Sequence, residues 1–160
     1  MTYGSDLNRR DLLLAGLAST MNFAPSADAI GNEAADKTSQ PSLTSFEKIA
    51  PQKYPWGWIR WLMNAEIDPN AEMTVGIVCV EPNQLNPLHI HPNSAEYLHV
   101  LSGACEHLVA DRWVALKAGD TLRVPKGVAH QARTKDQSFR AILMYDTGKR
   151  QMVPVAESKR

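Results

Sequence analysis

Cysteine is scarce in this chain: 160 residues hold two, Cys79 and Cys105. Two thiols rule out a disulfide framework as the source of the fold. Both sit inside strand-like runs and read as small buried apolar side chains, with one bridge in an oxidising compartment as the alternative. An excess charge of either sign is also missing, since Lys and Arg total 17 and Asp and Glu total 17. Without a basic stripe there is no electrostatic footprint for nucleic acid. No apolar run is long enough to span a bilayer comfortably, so no membrane association is expected of the mature protein. Beyond the first thirty residues, long amphipathic helical patterns are absent too. What is there, 44% apolar and 21% charged residues, is the composition of an ordinary folded domain. A small molecule is the expected partner.

The N-terminus reads as an export signal. In "LNRRDLLLAGLASTMNFAPSADA" an arginine pair precedes an apolar run, and small residues close it at Ala27-Asp28-Ala29. Arg9-Arg10-Asp11-Leu12-Leu13 resembles a twin-arginine signal, departing from it at Asn8 and Leu14. Residues 1–29 are therefore expected to direct the chain to the periplasm or out of the cell. A plain amphipathic N-terminal helix would instead leave it cytoplasmic. Residues 30–51 are polar and aperiodic and read as a flexible spacer. The domain itself is expected over 52–153, with a short tail at 154–160.

From Tyr54 onward the period is near two. "WGWIRWL" puts Trp56, Trp58, Arg60 and Leu62 on one face, with Ile59 and Trp61 on the other. "MTVGIVCV" is apolar on both faces, the pattern of a strand covered on both sides. Its outer cover is expected to be a dimer partner or the N-terminal segment. Short strand-like runs follow at "EYLHVL", "ACEHLVA", "RWVAL", "DTLRV", "HQAR" and "FRAILMY". Turn signals such as Ser102-Gly103 and Pro125-Lys126-Gly127 separate them. Many short strands at close spacing indicate an all-β sandwich or barrel.

The chemistry concentrates in "PLHIHPNSAEYLHVLSG". Strand alternation puts His89 and His91 on one face, about 7 Å apart along the backbone. The short turn at Pro92–Ala95 lets Glu96 re-enter beside them. In "GDTLRVPKGVAH", Gly119-Asp120 opens a strand, Pro125-Lys126-Gly127 turns it, and His130 enters the next one. If the two hairpins lie side by side, three imidazoles and a carboxylate meet, which are ordinary donors for a divalent metal.

These two stretches resemble the motifs of the cupin family. The first matches at His89, His91, Glu96 and Gly103, with Asn83 where the family has glycine. The second matches at Gly119, Pro125, Gly127 and His130, with Thr134 where the family has asparagine. The resemblance spans most of residues 73–145. It implies a single jelly-roll barrel with one divalent transition metal (Fe, Mn, Ni, Cu or Zn) held by His89, His91, Glu96 and His130. Four protein ligands on an octahedral ion leave two positions for water, dioxygen or substrate. An oxidoreductase of the dioxygenase type is the first implication, with Glu96 both ligand and proton acceptor. A metal-dependent decarboxylase, lyase or isomerase is the second. A non-catalytic binding module is the third.

The remaining polar strand residues read as structural. By parity with Glu96, His99 falls on the opposite face. His107 shares the face of Cys105 and is expected to pack outside the cavity unless a bulge shifts the register. Arg60, Arg123 and Arg140 are candidate carboxylate clamps, though pairing or surface exposure is the commoner fate. Trp58 and Tyr145 are candidate cavity-wall aromatics with packing roles. A homodimer is a further possibility.

Overall fold

The computed structural model describes residues 41–156. The export-signal reading of residues 1–29, and the first half of the spacer (30–40), lie outside them. Among the described residues, eleven strands form two antiparallel sheets. The first sheet contains β1 (Gln52–Tyr54), β2 (Gly57–Met63), β3 (Thr74–Val80), β5 (Glu96–Ser102), β8 (Thr121–Val124) and β10 (Phe139–Tyr145), in the order β1-β2-β3-β10-β5-β8. The second contains β4 (His89–Ile90), β6 (Ala104–Val109), β7 (Arg112–Lys117), β9 (His130–Arg133) and β11 (Val153–Pro154), in the order β11-β4-β9-β6-β7. The only helical element among the described residues is a 3-10 turn at Phe46–Lys48. This is an all-β jelly roll: from β3 onward the chain passes between the sheets at every step except the β6–β7 hairpin.

The alternation seen in the sequence sets the inner face. Val78, Val80, Leu98, Val100, Phe139, Ala141, Leu143 and Tyr145 of the first sheet meet Cys105, Leu116 and Ala132 of the second in one core. Cross-strand registers keep those parities aligned: Val78 lies opposite Ala141, Leu143 opposite Leu98, and Cys105 opposite Leu116. Each fully buried Val, Leu or Phe side chain contributes about 1.5–3 kcal/mol through water exclusion.

Three sequence expectations change. Trp56 does not share the face of Trp58; it packs on the core with Ile59 and Trp61. The reason is Gly57 (φ +148), where an added Cβ would lie 2.0 Å from the Cys79 carbonyl oxygen, so the chain bends and alternation is lost there. Residues 42–48 are no free spacer. The Thr44 hydroxyl donates to the Leu62 carbonyl at 2.6 Å, and Arg60 donates to the Phe46 carbonyl at 2.6 Å while stacking 4.1 Å over the Phe46 ring. This segment packs on the outer face of β2, with Arg140 of β10 6.0 Å over the Phe46 ring. The residues after 153 also pair: Pro154 lies opposite His89, and the Val155 N–H donates to Leu88 at 2.9 Å. The two thiols are free and belong to different sheets, Cys105 in the core and Cys79 near Glu81, 3.8 Å from its carboxylate. Burial pushes the Cys79 thiol up to about 11 and the Cys105 thiol to about 12.

Two positive-φ glycines end strands under different constraints. At Gly103 (φ +75) a Cβ would lie 1.9 Å from the Ser138 carbonyl oxygen, whereas at Gly119 (φ +91) it would meet nothing within 4 Å. Gly119→Ala should therefore lose only the left-handed conformational term, about 1–2 kcal/mol. Gly103→Ala adds a backbone clash and should lose at least ~1 kcal/mol more. Urea denaturation of the two variants measures the difference, and equal losses would remove the Gly103–Ser138 contact as a constraint on the fold.

Candidate metal centre

Strand pairing brings the four sequence candidates to one place. His89 lies directly opposite His130 across β4 and β9, and Glu96 opposite Tyr145 across β5 and β10. His91 follows β4 and is fixed by the second motif, because the Gly127 N–H donates to its carbonyl at 2.9 Å. The resulting cluster of His89, His91, Glu96 and His130 has one donor atom from each residue, all within 4.8 Å of one another. The three ring centroids are 4.2, 4.9 and 5.0 Å apart. His91, Glu96 and His130 are buried and His89 is half-buried. Donors about 2.0–2.2 Å from a shared ion lie at most about 4.4 Å apart, so small rotations close the set.

The imidazoles are oriented from behind. Nδ1 of His89 lies 2.8 Å from the Pro87 carbonyl oxygen, Nδ1 of His91 2.6 Å from that of Gln151, and Nδ1 of His130 2.9 Å from that of Val128. A carbonyl only accepts, so each Nδ1 carries a proton and each Nε2 is left for the centre. There, Nε2 of His91 and of His130 lie 3.0 and 3.3 Å from Oε2 of Glu96. Neutral rings would aim two lone pairs at a carboxylate oxygen, which is repulsive unless a proton or a cation lies between them. The donor set is thus built around positive charge, and it fits one divalent metal ion.

The electrostatics agree. Burial alone would raise the Glu96 carboxyl, but hydrogen bonds from His130 and His91, made when a proton on Nε2 supplies the positive charge, outweigh it and hold Glu96 well below its usual range. Burial likewise opposes a charged His130, yet the hydrogen bond and charge of Glu96 raise it. His89 is pushed down to about 4 by burial, aided by His130. The Tyr145 hydroxyl donates to Glu96 Oε2 at 2.9 Å. Burial, then the Glu96 charge, raise Tyr145 well above its ordinary value, so it stays a donor.

His89, Glu96 and His130 of the cluster line a cavity of about 210 Å³. Its walls include Val78, Val80, Leu98, Phe139 and Leu143, with Tyr54, Trp56, Arg150 and Met152 also lining it. Tyr54 and Trp56 stack with centroids 4.8 Å apart, and Arg150 lies 5.2 Å over the Tyr145 ring. His107 also lines this cavity and is 4% exposed, which corrects its expected place outside. No bulge is needed, because Cys105 itself faces the core and His107 shares its parity. Cysteine's strong tendency to be buried is the signal that could have placed it. Burial pushes the His107 imidazole down to about 4.

The other candidates lie elsewhere. His99 Nδ1 is 2.9 Å from the Thr121 hydroxyl. Trp58 packs with Phe46, and Arg60 and Arg140 lie over the same two rings. Arg123 donates to the Tyr97 hydroxyl at 3.2 Å. None of these five lines the cavity, whereas Arg150 does, and no strand pattern in the sequence pointed to it.

Comparisons with known proteins place this architecture. Residues 76–145 match the protein family described as "Cupin domain". Protein SchB of Streptomyces halstedii is 29% identical over 94 residues, which are 59% of this chain and 68% of that one. Germin-like protein 3-7 of Oryza sativa subsp. japonica is 33% identical over 105 residues, 58% of this chain and 44% of that one. Among solved structures, oxalate decarboxylase of Lactobacillus farciminis in its formate complex superposes with a TM-score of 0.63 at 18% identity, covering 68% of this chain and 34% of that one. Bacillus subtilis oxalate decarboxylase, which carries Mn(II) centres, gives a TM-score of 0.61 at 21% identity, covering 66% of this chain and 29% of that one. This chain therefore spans about a third of the decarboxylase chains, and at these identities the likeness is one of fold. Sequence motif, topology and side-chain cluster agree with the match of residues 76–145 to the cupin domain family.

Proposed function

We propose that this protein is a metal-dependent cupin enzyme of the dioxygenase type, acting on a small and largely apolar organic molecule with a polar head. The observation that carries the reading is the cluster of His89, His91, Glu96 and His130, of which His89, Glu96 and His130 line a largely apolar cavity. At about 210 Å³ that cavity is smaller than the ~300–1,000 Å³ of drug-sized sites, so the substrate is small.

Bound among these four side chains, a divalent ion supplies Lewis acidity and, where redox-active, a path for electrons between substrate and dioxygen. The chain's own residues do the rest. The carbonyls of Pro87, Gln151 and Val128 keep the three Nε2 atoms aimed inward. Tyr145 holds Glu96 Oε2, fixing the carboxylate as a ligand and as a proton acceptor should it detach. Val80, Leu98, Phe139 and Leu143 give the cavity apolar walls that exclude water.

A metal-dependent decarboxylation or lyase reaction is the second reading, favoured by the fold likeness to oxalate decarboxylases and by Arg150, a cation able to receive a carboxylate. The apolar walls favour the first reading, because a small dianion finds few partners along them.

Purified protein should contain one divalent transition metal per chain by elemental analysis, and its removal should lower the melting temperature. At a hundredfold excess over the dissociation constant, restored metal should add about 2.7 kcal/mol of stability. His91→Ala should fold by circular dichroism yet lose at least ~100-fold in metal affinity, beyond the effect of an outer hydrogen-bonding partner. Unchanged affinity would separate this residue from the metal. A panel of small phenolics, enols and organic acids should reveal oxygen uptake equimolar with substrate loss and abolished by His91→Ala. Carbon dioxide release without oxygen would favour the second reading, and a silent panel around a tightly held ligand would favour a binding module.

A further inference from the structure

His107 stands on the inner face of β6, 4% exposed, and lines the same cavity as His89, Glu96 and His130. Its ring is nearly parallel to that of His130, at 14°, with centroids 5.8 Å apart. Neither ring nitrogen has a hydrogen-bond partner among the described residues. Its cross-strand neighbours, Val114 and Ala132, have apolar side chains that offer none. The contrast with His89, His91 and His130 is sharp: each of those commits Nδ1 to a backbone carbonyl, while His107 commits neither nitrogen. A neutral imidazole brings one donor and one acceptor, so both are free for whatever fills the cavity. Burial without a partner is disfavoured in native proteins, and where it persists beside a cavity a ligand group is a ready explanation.

We propose that His107 is a substrate-binding residue, hydrogen-bonding an oxygen or nitrogen function one or two bonds away from the function that meets the His89, His91, Glu96 and His130 cluster. The proposal rests on the metal-centre reading above and narrows its substrate class. The short His107–His130 separation leaves room for adjacent functions only, as in a catechol, an enediol or an α-hydroxy acid. The apolar walls then receive the rest of the molecule.

The full chain loaded with Mn(II) tests this by calorimetric titration with two probes, catechol and phenol, which share a ring and differ in the adjacent hydroxyl. Mn(II) affinity is measured first, on the wild type and on His107→Phe, His107→Leu and His107→Gln. The Phe and Leu variants remove both hydrogen-bonding atoms, and Gln keeps a donor and an acceptor. Mn(II) affinity should be alike in all four. Catechol should bind the wild type about tenfold more tightly than it binds the Phe and Leu variants, the scale of one good hydrogen bond. Phenol should bind all of them alike, and Gln should recover most of the loss. The melting temperature of whichever apolar variant folds should equal or exceed that of the wild type, because an unpaired polar group has been removed. Unchanged catechol binding, equal weakening of both probes, or a wild type that does not prefer catechol overturns the proposal while the metal reading stands. Where Mn(II) is not bound, whichever of Fe(II), Ni(II), Cu(II) or Zn(II) is bound takes its place in the same titrations, and a wild type that binds none of the five overturns both. A fall in melting temperature in both apolar variants, with probe binding retained, would make His107 a packing residue.

Discussion

The site depends on three backbone carbonyls. Pro87, Gln151 and Val128 each take the Nδ1 proton of one imidazole, and without them the rings would be free to rotate. Those carbonyls come from the approach to β4, the approach to β11 and the turn before β9. They come together only when the second sheet has formed and the chain has returned to add its last strand beside β4. Glu96, meanwhile, belongs to the other sheet, paired against Tyr145. The four candidate donors therefore report on closure of the jelly roll as a whole. No single hairpin could assemble them.

Part of this was legible in the sequence because alternation and turns are local. His89 and His91 share a face by period two, and the tight turn at Pro92–Ala95 returns Glu96 to them. The two departures from the motifs were also readable. Asn83, where a glycine is usual, adopts φ 58, a left-handed conformation asparagine tolerates. Thr134, where an asparagine is usual, still ties the loop: its hydroxyl donates to the Glu81 carbonyl and accepts from the Gln84 N–H at 3.1 Å. Backbone conformation and hydrogen bonding, rather than residue identity, are what those positions supply.

The rest was hidden where local pattern gives way to tertiary contact. Gly57 breaks the alternation and sends Trp56 to the cavity, a change that depends on the Cys79 carbonyl of a neighbouring strand. Residues 42–48 look like polar linker until Arg60 is seen to need the Phe46 carbonyl and ring. Arg150 and Met152 lie between β10 and the two-residue β11, a stretch too short and irregular to show any period. His107 was within reach, since its parity with Cys105 was plain. What the pattern lacked was the direction of that shared face.

Parity also decides which arginine can serve a ligand. Arg60 and Arg140 lie opposite Ile77 and Cys79 in β3 and stack on Phe46 and Trp58, on the face turned away from Val78 and Val80. Arg123 likewise meets Tyr97, on the exposed side of β5. A sheet one residue thick separates all three from the cavity, however close they come in sequence to its walls. Arg150 escapes that constraint because it lies outside the strands, and its charge reaches both Tyr54 and Tyr145. Apart from the candidate donors and the two tyrosines, the cavity is thus polar only where the chain leaves regular alternation or where an inward histidine is left unpaired. Leaving such a group unpaired costs about 1–3 kcal/mol. Thr134 satisfies its buried hydroxyl, whereas Arg60 Nε, Ser94 Oγ, Gln131 Oε1 and Arg140 Nε have no partner among the described residues; of the residues with such an atom only His107 lines the cavity, where a ligand can offset the cost.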